Sequence, residues 1–143
     1  MQECYLQESK NNKEAKIIMK HIAIGENHLY SKAYSKGAKY IGRTVIVYVL
    51  KDLKARLLQK AHPDKQMVNR IGLTVSKKLG HAVVRSRVKR ILREGLRQTE
   101  NVHNVKKGYL IVLVARQSTI SAKSTDIARD IEKAFYALKL IED

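Results

Sequence analysis

Apolar residues form three short stretches whose spacing predicts β-strands. Residues 41–51 are rich in β-branched side chains, with Ile46, Tyr48 and Leu50 on one side and three valines on the other. Residues 70–76 and 109–115 are the second and third predicted strands. Because residues 109–115 are apolar throughout, they indicate a strand that is covered on both faces and lies in the middle of the sheet.

Three other segments repeat apolar residues at helical spacing. They are residues 27–35, which Asn27 caps and Gly37 ends, residues 82–98 and residues 123–140. The order α, β, β, α, β, α predicts an α+β fold.

The predicted elements form a single domain over residues 26–143. A flexible polar extension over residues 1–25 is expected to precede it. Residues 52–68 form a long polar connection, in which three leucines also allow a helical turn.

The segment 82–98 has two faces of opposite character. On a helical wheel, its core face consists of Val84, Val88, Ile91, Leu92 and Leu96. Six cations lie on or beside the other face: Arg85, Arg87, Lys89, Arg90, Arg93 and Arg97. Like charges four residues apart each destabilise a helix by about 0.2–0.5 kcal/mol. The arrangement therefore favours binding to a polyanion over a solvated face, which normally mixes Glu with Lys.

Composition extends this positive charge to the whole chain. The formal net charge is +16 on 143 residues, which favours attraction to nucleic acid. A hydrophobic fraction of 44% supports a folded core and argues against a disordered basic tail. Residues 70–93 hold eight Lys or Arg and no acid, so the charge is concentrated on predicted structure.

The sequence argues against several other chemistries. The single cysteine, Cys4, excludes an intramolecular disulfide framework and a multi-cysteine zinc site, and the five histidines lack the spacing of a metal site. No apolar run reaches about 18 residues, and no signal peptide is evident. We therefore expect no bound metal on the protein, no membrane association and a cytoplasmic location.

Four of the seven tyrosines lie between residues 30 and 48. Tyr30 and Tyr34 share a helix face, and Tyr48 lies on the strand that follows. Exposed rings beside cations would stack the bases of a single-stranded nucleic acid, at roughly 1–3 kcal/mol per base. Aromatic pairs at helical spacing are also typical of a core, and the spacing alone leaves both interpretations open.

The junction between the second strand and the basic helix resembles a known family. Residues 76–90 read Ser-Lys-Lys-Leu-Gly-His-Ala-Val-Val-Arg-Ser-Arg-Val-Lys-Arg. They are similar to the pattern Ser-Lys-Lys-x-Gly-Asn-Ala-Val-x-Arg-Asn-Arg-x-Lys-Arg of the bacterial ribonuclease P protein subunit. Upstream, Tyr30, Tyr34 and Gly37 match the family's aromatic-x-x-x-aromatic-x-x-Gly. The resemblance covers about residues 26–140.

The resemblance implies both a fold and an activity. The fold is a small two-layer α+β sandwich like a ribosomal-protein domain, with a mostly antiparallel four-stranded sheet and a left-handed βαβ crossover. The activity is that of ribonuclease P, an endoribonuclease that removes the 5′ leader of precursor tRNA. In that family the RNA subunit catalyses the reaction with bound Mg²⁺. This chain would then need no catalytic residue and no protein partner, and would bind the catalytic RNA and precursor tRNA.

The family's binding sites carry over to matching positions of this sequence. Its leader-binding cleft carries over to Tyr30, Tyr34 and Tyr48. Its basic motif carries over to Lys77, Lys78, Arg85, Arg87, Lys89, Arg90 and Arg93. Further RNA contacts are expected at Arg43, Arg70, Ser76, His81, Ser86 and Arg97. His81 and Ser86 replace asparagines of the family pattern, which removes an amide at each position.

Three alternatives belong to other classes. A ribosomal or ribosome-associated protein would also be small and basic, but would scatter its cations over tails and loops. A helix-turn-helix protein would offer Gln, Asn or Ser for reading bases, whereas residues 82–98 offer mainly phosphate-binding cations. A protein-only nuclease would need clustered carboxylates beside the basic helix, and the sequence has none there.

Overall fold

A computed structural model describes residues 21–141 of the chain. Its five strands are β1 (His21–Ala23), β2 (Ala38–Ile41), β3 (Val45–Lys51), β4 (Asn69–Thr74) and β5 (Tyr109–Ala115). Its four helices are α1 (Asn27–Lys36), α2 (Ala55–Ala61), α3 (Ala82–Val102) and α4 (Ser124–Ala137). Two short 3-10 helices, Lys77–Leu79 and Gln117–Ser121, follow β4 and β5.

The strands form one sheet in the order β1-β4-β5-β3-β2. This order confirms the α+β class and the central position of β5. The sheet has five strands, however, and it is mixed: β1 with β4 and β4 with β5 are parallel, and the other two pairings are antiparallel. The prediction of a mostly antiparallel four-stranded sheet was therefore wrong. β4, α3 and β5 form the expected βαβ unit, in which the basic helix joins two neighbouring parallel strands.

The residue pattern predicted three strands, and the two additional strands have separate origins. β2 shares only Ile41 with the first predicted strand, residues 41–51, and a tight turn separates it from β3, where the Gly42 amide donates to the Val45 carbonyl over 2.8 Å. β1 consists of three residues, which are too few to show a period of two. Since β1 pairs with β4, the prediction that the extension continues to residue 25 was wrong. The predicted flexibility of residues 1–20 concerns a part of the chain outside the described residues.

Helices cover both faces of the sheet, so the molecule has three layers where two were predicted. Alternate residues of β5 belong to different cores: Ile111 and Leu113 pack with α3 and α4, while Leu110 and Val112 pack with α1. This two-sided burial explains why the β5 sequence is apolar throughout.

The larger core lies between the sheet, α3 and α4. Val88, Leu92 and Leu96 of α3 are at most 2% exposed, which confirms the core face predicted from the helical wheel. Gly95 lies on the same face, and a Cβ atom there would come within 2.8 Å of Ile127 Cγ2. The glycine therefore lets α3 and α4 approach closely, which compensates for its low helix propensity.

The chain between β3 and β4 contains α2, the helical alternative for residues 52–68. This connection begins at Asp52, which forms a buried ion pair with Arg70. Arg70 Nε donates to Asp52 Oδ2 over 2.7 Å, and Arg70 Nη2 donates to Asp52 Oδ1 over 2.8 Å. Asp52 Oδ1 also accepts from the Lys54 amide, and Arg70 Nη1 lies 3.5 Å from Glu26 Oε1. The pair thus connects β4 to the starts of α1 and α2.

The environment of Asp52 sets its ionisation. Burial on its own would raise the pKa of this carboxyl, but the hydrogen bonds from Arg70 and from the Lys54 amide outweigh burial. The pKa of Asp52 is consequently lower than its ordinary value of 3.8.

Replacing Asp52 with Ala should destabilise the fold by about 3–5 kcal/mol near neutral pH, because it leaves the Arg70 charge buried without its main partner. The pKa of Asp52 is lower in the folded state than in the unfolded state. Its contribution to the free energy of unfolding is therefore complete above the pKa of the unfolded state, and it is lost as the pH falls through the pKa of the folded state. Urea unfolding of the unsubstituted chain and of Asp52→Ala, measured from pH 7 downwards, should show that their difference in free energy of unfolding shrinks below about pH 4. A difference independent of pH would contradict the ion-pair explanation. Glu94→Gln, which affects an exposed ion pair with Arg97, is the control and should cost at most about 1 kcal/mol.

Candidate nucleic-acid interface

Helix α1 places two tyrosines against the sheet. Its residues Leu29 and Ala33 are buried over β3 and β5, and they fix the orientation of the helix. The Tyr30 ring lies on Gly72 of β4, where an added Cβ would come within 2.5 Å of the ring. Any larger residue at position 72 would therefore displace Tyr30.

Tyr34 and Tyr48 meet above the same face of the sheet. Their ring centroids are 5.0 Å apart at an interplanar angle of 72°, an edge-to-face arrangement. The Tyr34 hydroxyl is 2.7 Å from Thr74 Oγ1, so β4 holds one end of the ring, and Tyr48 of β3 packs against the ring itself. Tyr34 is 40% exposed, and Tyr30 and Tyr48 are half-buried. We call the surface formed by Tyr30, Tyr34, Tyr48 and Thr74 the tyrosine cleft.

Tyr30 and Tyr48 pack on the smaller core, as the core interpretation of the tyrosine spacing expects, and all three rings of the tyrosine cleft stay partly open to solvent, so the stacking interpretation remains a prediction. Burial, and to a lesser extent the neighbouring Tyr34, raises the pKa of the Tyr30 hydroxyl. The Tyr30 hydroxyl therefore stays neutral in the physiological range and adds no negative charge that would repel a phosphate backbone.

A short connection joins the cleft to the basic helix. Thr74 ends β4, and Ser76 caps the 3-10 helix Lys77–Leu79, where its Oγ accepts a hydrogen bond from the Lys78 amide over 3.2 Å. Lys77 and Lys78 are exposed. Only Val75 and Ser76 therefore separate Thr74 of the cleft from Lys77, the first cation of the predicted motif.

Helix α3 presents most of the remaining cations to solvent. Lys89, Arg90 and Arg93 are exposed, and none has a hydrogen-bonded or ionic partner among residues 21–141. Arg97 is also exposed, but its Nε donates to Glu94 Oε2 over 3.0 Å. Hydrogen bonding from Arg97 lowers the pKa of Glu94, whose negative charge offsets that of Arg97. The charge available to a ligand is therefore greatest in the first three turns of the helix.

Arg85 and Arg87 border this face and differ in their surroundings. Arg87 Nη1 donates to the Ile120 carbonyl over 2.7 Å, which connects α3 to the 3-10 helix after β5. The Nε of Arg85 is buried and has no hydrogen-bond partner within the described part of the chain. Arg87 thus has a structural role in addition to the predicted one, and Arg85 keeps a donor unused.

The other expected contacts fall into two groups. His81 and Ser86 are exposed at the start of α3, and Arg43 is exposed in the turn between β2 and β3. Arg43 also lines a polar pocket of about 160 Å³ with Ser118 and Arg129. Arg70, by contrast, is 6% exposed and bound to Asp52, so the expectation of an RNA contact there does not fit the structure. The alternation of β4 places Arg70 on the face of Gly72 and Thr74, but the sequence pattern does not show that Asp52 of another segment buries and pairs its guanidinium.

Sequence reasoning missed Gly72 and Thr74, although both lie in the segment that carried the motif. They occupy alternate positions of β4, on the sheet face opposite Ile71 and Leu73, which pack in the larger core. That alternation was a usable signal, because it places residues 72 and 74 on the same face as Tyr48 once the strands are in register.

Two further properties of the described residues bear on the chemistry. Among residues 21–141, no three His, Cys, Asp or Glu side chains come together as a potential metal site. Over the same residues, no helix has both the length and the apolar character needed to cross a bilayer.

The fold and the two joined surfaces define a small α+β nucleic-acid-binding protein. The family model described as Ribonuclease P matches residues 18–139. The ribonuclease P protein component of Clostridium acetobutylicum is 36% identical over 123 residues, covering 86% of this chain and 93% of that protein. That of Clostridium botulinum is 34% identical and covers 76% of this chain and 86% of its own length. The chain belongs to the ribonuclease P protein family.

Solved structures agree with this assignment. The Staphylococcus aureus RNase P protein has a TM-score of 0.65 at 25% identity, covering 86% of this chain and 100% of that chain. The Thermotoga maritima RNase P protein shares the fold at a TM-score of 0.60, covering 85% of this chain and 98% of that chain at 20% identity. The comparisons do not support the ribosome-associated alternative.

The exposed face of α3 should dominate the salt dependence of RNA binding. Replacing Lys89 and Arg93 with Gln should weaken binding to a structured RNA and reduce the slope of log K against log salt by roughly 0.7–0.9 for each lost phosphate contact. Filter binding at several KCl concentrations measures that slope. The control is Lys123→Gln with Lys133→Gln, which removes the same charge from the region of α4. Equal slopes for the two double variants would contradict a phosphate-binding role for α3.

Proposed function

We propose that this chain binds the catalytic RNA of ribonuclease P through α3 and holds the 5′ leader of precursor tRNA in the tyrosine cleft. The observation that carries the proposal is the junction of the two surfaces at the end of β4. An aromatic cleft suited to unpaired bases there meets a row of unpaired cations suited to a phosphate backbone.

Membership in the family makes the chain the protein subunit of a ribonucleoprotein endoribonuclease, with the ribonuclease P RNA as its partner. The finer roles proposed here concern which surface binds which RNA. The cytoplasm, where transcripts are processed, is the proposed place of action.

The geometry of the cleft supports binding of a single strand. Each tyrosine offers a partly open ring on a rigid sheet, and ring stacking tolerates any base because every base has a π-face. The Thr74 hydroxyl and the Tyr34 hydroxyl already bond to each other, which leaves little directional readout of base identity. A leader of variable sequence is the kind of ligand such a cleft accommodates.

The geometry of α3 supports binding of a folded RNA. Its cations are spaced along a helix that is anchored by its opposite face, where Leu92 and Leu96 are at most 2% exposed. Charges at fixed positions match phosphates at fixed positions, and a structured RNA holds its phosphates in such a fixed arrangement.

The chemistry of cleavage is proposed to belong to the RNA subunit. Mg²⁺ prefers carboxylate and phosphate oxygens. The acids near the cleft and the basic helix are already engaged, Asp52 with Arg70 and Glu94 with Arg97. The side chains of this region therefore do not suit Mg²⁺, and we propose that RNA phosphates bind the metal ions. The protein contributes binding and orientation of the leader.

Reconstitution tests the main proposal. A bacterial ribonuclease P RNA should cleave precursor tRNA faster at low Mg²⁺ when this chain is added, and the chain alone should cleave nothing. Tight RNA binding without any stimulation would contradict the proposal.

The cleft assignment predicts a selective defect for Tyr34→Ala in the reconstituted holoenzyme. Affinity for precursor tRNA should fall by about 5- to 150-fold, the equivalent of one lost stacking contact, whereas affinity for mature tRNA should not change. Tyr34→Phe should retain most of the affinity. Tyr136→Ala is a matched control, because Tyr136 is 37% exposed but lies on α4, across the sheet. Equal weakening toward precursor and mature tRNA would refute leader binding in the cleft.

A further inference from the structure

We infer that the tyrosine cleft continues across the edge strand β2, where Lys39 contacts a leader phosphate and Ile41 supports a further nucleotide. This inference rests on the proposed function of the cleft and extends it to residues that lie outside the family motifs. It assigns a role to an edge strand that contributes little to either core.

The strand register places both residues on the cleft face. Lys39 is directly opposite Tyr48 in the antiparallel pair β2–β3, and Ile41 is opposite Ile46. Residues opposite each other in such a pair project from the same face, with Cβ atoms about 4.5–5.5 Å apart. Lys39 therefore lies beside the Tyr48 ring, and Ile41 continues the row that ends at Thr74.

Burial along β2 agrees with this placement. Tyr40, between the two residues, packs against the larger core on the other face. Ile41 is 58% exposed, although Ile46 and Val114 beside it in the same row are partly buried. The row Ile41, Ile46, Val114 thus forms an apolar floor that runs from the Tyr34 ring to the edge of the sheet and then opens to solvent.

Charge favours RNA as the occupant of this floor. Lys39 is exposed and has no hydrogen-bonded or ionic partner in residues 21–141. Lys36 ends α1 just before β2, whereas Arg43, in the turn after β2, lines the pocket that contains Asp126 and Asp130 of α4. A single strand that leaves the tyrosines over β2 would meet apolar surface under its bases and cations at its margins, which is the combination that single-stranded nucleic acid requires.

A lysine on an edge strand can also serve only to prevent pairing with another sheet. That role predicts no effect on RNA binding, so the two explanations can be separated by measuring affinity as a function of leader length.

The test uses the reconstituted holoenzyme and precursor tRNAs whose leaders are shortened one nucleotide at a time. With the longest leader, Lys39→Gln should weaken binding by about 3- to 10-fold and reduce the log–log salt slope by roughly 0.7, the value for one phosphate of a single strand. Ile41→Ala should weaken binding to the same substrate. Both defects should vanish at a leader length for which Tyr34→Ala is still impaired.

Lys133→Gln on α4 and Val102→Ala at the end of α3 are the matched controls and should behave as the unsubstituted chain.

The outcomes separate this inference from the proposed function. If the unsubstituted chain binds precursor and mature tRNA equally, the proposed function fails and the inference fails with it. If precursor is preferred but Lys39→Gln and Ile41→Ala keep the full dependence on leader length, only the inference is overturned. A Lys39→Gln defect that is the same for every leader length, including mature tRNA, also overturns it, because the contact would then lie outside the leader.

Discussion

The fold depends on the burial of both faces of β5. Its apolar side chains point alternately into two cores, with Ile111 and Leu113 on one side and Leu110 and Val112 on the other. A strand of this kind cannot lie at an edge or face water, so the chain must supply a helical cover for each side. The long helices α3 and α4 cover one face, and the three-turn helix α1 covers the other. The unequal size of these covers produces the functional surface.

The cleft is the part of the second face that α1 is too short to cover. Leu29 and Ala33 exclude water from Leu110 and Val112, whereas the neighbouring part of this face lies under tyrosine rings that stay partly open to solvent. Tyrosine suits this position because its ring buries apolar surface while its hydroxyl can meet solvent or a partner such as Thr74. Stability and the proposed ligand binding would thus use the same rings, which is why their spacing alone could not distinguish a core from a binding site.

The parts of the structure that the sequence predicted are those with a strong local period. The buried arc of α3 and the whole of β5 were predicted correctly because burial imposes a repeating pattern on each. β1 could not be predicted, because three residues carry no measurable period and its position depends on pairing with β4. The environment of Arg70 also depends on a partner distant along the chain, Asp52. The helical period located the basic helix, but only the register showed that Lys39 lies beside Tyr48.

The connection between β4 and α3 sets the distance between the two proposed binding surfaces. Thr74 is bonded to Tyr34 in the cleft, and Ser76 begins the turn that leads through Lys77 and Lys78 to the basic helix. The close contact at Gly95 and the buried arc of α3 hold the helix against α4 and the sheet, so it cannot shift independently of the cleft. A substrate leader in the cleft would therefore be held at a fixed position relative to an RNA bound on α3. Fixed relative placement of substrate and catalyst is the contribution to the reaction that the proposed function assigns to this protein.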